Sequence, residues 1–256
     1  MKKIIIQFII MFTIIVVLFN INDILKIDIY ETYIYFLKNV LSSLYPIMII
    51  SLYLKYNILN KSNTKFLFFL TNILTFSPSN ALLTNDESII LYSTILNPFY
   101  SYLIIKNLLN QYMSFKIVVT NFLINNLFIL IKITKIKLET INIPKTSFTK
   151  IIKEATDNII NIFGITIFFC IIKNILIFIK VPKILIILID VINGFKLINE
   201  INKFKIIIII FLNSFTGISM LFQIKSINKN VTNKIFIKKF ILSIITLLIT
   251  LFIIKL

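Results

Sequence analysis

The chain is dominated by apolar runs of roughly bilayer length, and several of those runs stop short. Ile4 to Phe19, Phe115 to Ile131 and Ile235 to Ile254 are nearly uncharged, and a helix needs roughly 20 predominantly apolar residues to cross a hydrocarbon core of about 30 Å. Charged residues gather between the runs instead of marking one face of amphipathic helices. Hydrophobic residues make up 58% of the 256, above the roughly 45–50% of a soluble domain, and a lipid-facing surface accommodates the excess. The pattern predicts an all-α, polytopic membrane helix bundle whose first partner is the lipid bilayer.

The formal net charge of +17 comes from lysine alone, since the 27 basic residues include no arginine. A soluble protein so basic would attract phosphate, but without arginine there is no bidentate fork to read phosphate or guanine. The lysines read as loop anchors, and no nucleic-acid partner is expected. Histidine is absent and Cys170 stands alone inside an apolar run. The usual zinc, haem and iron–sulfur sites and a Ser-His-Asp or Cys-His centre therefore lack their ligands and nucleophile partners. No cofactor, no metal and no enzymatic activity are expected.

Lys2 and Lys3 precede Ile4 to Phe19 as in a signal sequence, but no small residues mark a cleavage site, so a retained first helix is expected. A second helix spans Tyr33 to Leu54 across Pro46. Phe66 to Phe76 reaches only about 16 Å as a helix, too short to cross, and ends in Ser77-Pro78-Ser79-Asn80. Ile89 to Ile105 is interrupted at Asn97-Pro98, and Phe115 to Ile131 is an ordinary span.

The second half repeats this order. Ile159 to Ile172 extends through Ile179, Ile184 to Ile189 stops at Asp190 and Asn193-Gly194, and Ile206 to Leu212 breaks at Asn213 to Ser219. Ile235 to Ile254 closes the chain. About nine hydrophobic segments result, two pairs of them broken or re-entrant. The expected division is one membrane domain, 1–256, with an extra N-terminal helix (1–32), a first gate-like half (33–131), a connector (132–158) and a second gate-like half (159–256). Matched interruptions in two halves point to a transporter-like site at a repeat interface. A helix ended inside the bilayer leaves unpaired backbone groups that persist only around a cavity or within protein. The other reading is that Pro78, Pro98, Gly194 and Gly217 merely kink packed helices.

Lys153-Glu154-Ala155, Asn161 to Gly164, Asp190 to Gly194, Ser214 to Ser219 with Gln223, Ser77 to Ala81 and Asn97-Pro98 together resemble the bacterial sporulation integral membrane proteins that carry a nucleoside-recognition gate domain. The resemblance covers roughly residues 66 to 225. It implies a multi-pass protein in the cell membrane of spore-forming bacteria, related to nucleoside-type transporters, with other sporulation membrane proteins or further copies of the chain as partners. The chain departs from the family pattern at Asp190, where the family has Glu, at Leu82, and in its missing first-half glycines.

Asp190 is the sharpest candidate, because an acid flanked by isoleucines is costly at depth. It would bind a proton, Na⁺ or a polar solute, or else cap the break beside Lys196 at the interface. Asn193, Asn213, Ser214, Thr216 and Gln223 from the second half, with Ser79, Asn80 and Asn97 from the first, offer amides and hydroxyls. Each amide could equally bond a neighbouring helix. With one acid and no base at the breaks, the lining suits a small neutral polar solute such as a nucleoside, carried or conducted. The alternative is a non-transporting component of spore-envelope assembly. Lysine-rich intervals at 55–65, 173–183 and 225–239, read as cytoplasmic loops, place the N-terminus inside and the C-terminus outside.

Overall fold

The computed structural model describes residues 29–34, 36–59, 80–83, 87–93, 98–135, 146–190, 197–198, 204–228 and 230–254. All the regular structure among the described residues is helical. The first helix expected at Ile4 to Phe19 and the short segment Phe66 to Phe76 lie outside them.

Helix α1 (Ser42–Leu54) runs through Pro46 and is flanked by π-helical turns at Phe36–Leu41 and Lys55–Leu59. The wider turns are compatible with the backbone disturbance a proline causes. Three short helices follow, α2 (Asn80–Leu83), α3 (Glu87–Ser93) and α4 (Pro98–Ile105). Pro98 starts α4, the position where its missing N–H costs nothing, so the interruption expected at Asn97-Pro98 is a helix start. The long helices are α5 (Gln111–Lys135), α6 (Phe148–Phe178) and α10 (Lys234–Ile254); between them lie α7 (Lys183–Ile189), α8 (Lys205–Phe215) and α9 (Gly217–Ile227).

By length and composition four helices can cross a membrane: Gln111–Lys132, Phe148–Phe178, Lys205–Ile227 and Lys234–Ile254. This is the helix set of a multi-pass membrane protein. Helix α10 turns a polar stripe into the bundle and much of its apolar surface outward. Ile237, Ile241, Ile244, Leu248 and Phe252 point outward, whereas Lys239, Ser243, Thr246 and Thr250 are wholly buried. A soluble helix turns its apolar stripe inward; lipid removes that preference and leaves hydrogen bonding and close packing to hold helices together.

Residues 148–158, read from sequence as part of the connector, form the first turns of α6. Ser147 caps that helix, its hydroxyl accepting from the Lys150 amide at 3.4 Å, while Lys150, Lys153 and Asp157 stay exposed. A polar interval is thus a solvated helix end rather than a loop. Helix α1 packs on α6 through Met48, Leu52, Ile151, Ala155 and Ile159. At the same contact Tyr56 donates to Glu154 at 2.8 Å and Tyr45 shares a 3.0 Å hydrogen bond with Thr156. Burial first, and then the Glu154 carboxylate, push the Tyr56 phenol up to about 12.

The two sequence halves interleave. From the first half, α3 and α5 pack against α10 of the second and α5 also against α8, while α1 packs with α6, which also carries α7 and α9. Helices α8 and α9 meet at a kink at Thr216, where the chain passes from the α5–α10 group to the α6 group.

Candidate functional site

The break expected over Asn213 to Ser219 is confined to one joint. Thr216 adopts the left-handed conformation (φ 64°) and Gly217 has φ 81°. For a β-branched residue that region is strained, and the neighbouring contacts hold it there: the Thr216 amide donates to Leu212 O at 2.9 Å and its hydroxyl to Phe215 O at 2.6 Å. Phe215 is fixed in turn by ring contacts with Phe211 and Phe240. The stretch Lys205–Ile227 is long and apolar enough to cross a membrane, and within it α8 and α9 are separate helices that meet at Thr216.

Along α8 the polar residues sit between two apolar clusters. Ile209, Ile210 and Leu212 belong to one, with Ile117, Val118 and Ile254; Phe215 belongs to the other, with Ala81, Leu91, Leu221 and Leu242. Asn213 and Ser214 lie between them, buried, and Asn213 Oδ1 and Ser214 Oγ have no hydrogen-bond partner among the described residues. Leaving such groups unpaired away from water is costly, which marks the level as more than packing.

The other predicted residues divide between interfaces. Gln223 is buried on α9 and donates to Thr166 of α6 at 3.2 Å, the helix-to-helix tie named among its readings. Asp190 is buried where α7 ends, in extended conformation. A carboxylate at a helix C-terminus meets the negative end of the dipole. Helix α7 packs on both α6 and α9. Asn80 opens α2, and the carbonyl of the next residue, Ala81, accepts from Asn228 at 2.8 Å. Because Ala81 and Phe215 share one apolar cluster, the chain beside Asn80 lies in the same core as the kink. Pro78, Ser79, Asn97, Asn193 and Gly194 lie outside the described residues. Gly164, part of the family-like Asn161 to Gly164 motif, has open space where a Cβ would sit, so no close approach among the described residues requires it.

Two lysines assigned from sequence to loops are buried on helices. Lys173 sits within α6, and Lys239, wholly enclosed on α10, donates to Leu91 O at 3.0 Å. That carbonyl lies in the last turn of α3, where helix carbonyls lack intrahelical partners and a cation suits the dipole. Lys116 does the same for α10, reaching Ile254 O at 3.3 Å. The premise that no base lies at depth therefore holds for residues 206–224 but not for the bundle around them. At the rim Glu87 receives Lys238 at 2.7 Å and the Thr232 amide at 2.9 Å, tying α3 to the α9–α10 turn.

The residues missed from sequence are Asn121, Asn125, Thr246 and Thr250. Asn121 is the hub: it donates to Ile210 O at 3.2 Å and accepts from Thr250 at 2.7 Å, joining α5, α8 and α10. Asn125 donates to Asn121 O at 2.8 Å, which fixes its amide orientation and leaves Oδ1, like Thr246 Oγ1, without a partner among the described residues. Helical spacing was the available signal, since 239, 243, 246 and 250 step by 4, 3 and 4 along an apolar span. The described residues contain no group of three or more His, Cys, Asp or Glu side chains that could hold a metal ion. The chain matches no protein-family model, no curated protein and no solved structure.

Proposed function

We propose that this chain is a carrier or channel in the cell membrane for a small neutral polar solute of nucleoside type, and not an enzyme. The observation that supports the reading best is the pair of oxygens, Asn213 Oδ1 and Ser214 Oγ, buried without a partner among the described residues one turn from a strained joint in a stretch of membrane-crossing length. Irregular backbone and unsatisfied polar groups at such depth suit a path for a polar substrate. The resemblance to sporulation membrane proteins with a gate domain points the same way. About nine hydrophobic segments in two repeat-like halves and a cytoplasmic N-terminus complete the proposal. Within it, Asp190 and the amides near the joint contact the solute, and neutral solutes are favoured because Lys239 is already engaged by Leu91 O.

A second reading is supported by Gln223 and Asn228, whose amides serve as interhelical ties to Thr166 and Ala81. Polar residues used in that way suit a non-transporting component that assembles with itself or with other membrane proteins of the spore envelope. Uptake of labelled nucleosides into liposomes holding the intact chain separates the two. Accumulation above protein-free liposomes, with nucleotides excluded, is expected of the carrier, and its absence for every polar solute tested favours the assembly component.

A further inference from the structure

We infer that α5, α8 and α10 enclose a binding site for a monovalent, sodium-sized cation, formed by Asn125 Oδ1, Ser214 Oγ and Thr246 Oγ1. Helix direction follows from contacts. Lys116 meets Ile254 and Asn121 meets Thr250, so α5 and α10 run antiparallel. Ile209 and Ile210 share a cluster with Ile254, whereas Phe215 joins Leu242 and touches Phe240, so α8 is also antiparallel to α10. Asn121, Ile210 and Thr250 define one level, their polar groups joined by hydrogen bonds. One helical turn, about four residues, advances α5 and α8 to 125 and 214 and takes α10 back to 246. Asn125, Ser214 and Thr246 therefore share the next level, one from each helix.

All three residues are completely buried, and each contributes an oxygen without a hydrogen-bond partner among the described residues. The hydroxyls depart from a pattern common in the fold, a departure shared by Ser101 Oγ on α4, which is likewise unpartnered among the described residues. Ser51, Ser114, Thr166 and Ser243 each donate to the carbonyl four residues earlier, the default for a hydroxyl inside a helix. Ser214 and Thr246 do not. Asn213, next in the chain, holds a further unpartnered oxygen.

Oxygen-only donors suit a hard cation, and the lack of a carboxylate among them argues against a divalent one. Helix α8 ends at Phe215, one residue beyond Ser214, so its last carbonyls lie at this level and favour positive charge, offset in part by the start of α9 at Gly217. Lys239 does not compete for the position. It lies about 10 Å toward the N-terminus of α10 at 1.5 Å per residue, helical side chains lean that way, and its ammonium is bonded to Leu91 O.

The site does not depend on solute transport, and the test needs no solute. The melting temperature of the purified full chain in detergent is followed while NaCl replaces choline chloride at constant ionic strength, with KCl as the size control. A saturable rise with Na⁺, smaller with K⁺ and absent with choline, is expected. Thr246→Val and Ser214→Ala each delete one oxygen and should raise the half-saturating Na⁺ concentration by roughly tenfold or more, the loss of one contact to a charged group. If Thr246→Val does not fold, the wild-type titration and Ser214→Ala decide. A melting temperature identical in all three salts would assign the level to a buried water and overturn the inference, as would a Na⁺ response unchanged in the variants. A Na⁺ response in a protein that takes up no solute would leave the cation site standing and count against the carrier alone.

Discussion

Replacing Asn121 by Leu tests the joint that holds the three central helices in register. The side chain is buried and makes two interhelical hydrogen bonds, to Ile210 O at 3.2 Å and from Thr250 at 2.7 Å. Interhelical hydrogen bonds in membrane bundles are worth about 0.6 kcal/mol on average and up to about 1.7 kcal/mol. Losing both therefore costs about 1–3 kcal/mol, and the Thr250 hydroxyl left without its acceptor places the value in the upper part of that range. Leucine is close in size, so cavity formation adds little. The measurement is reversible unfolding in mixed micelles of increasing SDS content for Asn121→Leu, Thr250→Val and the double variant. Because the residues touch, the double variant should lose less than the sum of the singles, with a coupling of about 0.5–1.5 kcal/mol. Additive losses, or a single-variant cost below about 0.5 kcal/mol, would refute both the energetic role and the register drawn from it.

Asp190→Asn keeps the side-chain shape and should leave the protein folded while lowering nucleoside uptake roughly tenfold or more, as expected for loss of a charged contact; wild-type uptake would reassign Asp190 to helix capping. Gly217→Val should reduce folded yield because φ there is 81°, whereas Gly164→Ala, with open space for the methyl, should raise stability by about 0.5–1 kcal/mol. Equal yields of folded protein from both variants would contradict the assignment of the joint. At the rim, burial raises the Glu87 carboxyl, but hydrogen bonds from Lys238 and Thr232 outweigh it and hold the pKa at about 2, below the ordinary 4.5. A folded-state pKa below the unfolded one stabilises above the unfolded value. That contribution is complete above about pH 4.5 and fades as pH falls toward 2, so Glu87→Gln should flatten the upper part of the acid limb of the stability curve. Finally, a cysteine introduced at position 229 in a Cys170→Ser background should be labelled only from the cytoplasmic side, and labelling from outside would invert the proposed topology.

The membrane class and the helical architecture were legible in the sequence because they rest on local quantities. The lengths of the apolar runs and the prolines require no knowledge of neighbours, and α5 and α10 fall where the runs predict, while α6 starts earlier, at Phe148. Thr216-Gly217 was also visible as an interruption, since glycine permits positive φ and a β-branched residue beside it resists regular helix. What the sequence could not settle was which polar residues face one another. Lys239 looks like a loop lysine beside Lys234 and Lys238, and only the packing of α3 against α10 turns it inward to a helix end. Asn121 and Thr250 are separated by 129 positions, so no local pattern pairs them. The layer of Asn125, Ser214 and Thr246 arises from the antiparallel setting of α10 against α5 and α8. Hydropathy fixes how many residues a helix needs to cross, but in lipid apolar burial says little about which face meets which partner, and hydrogen bonds between distant helices decide it.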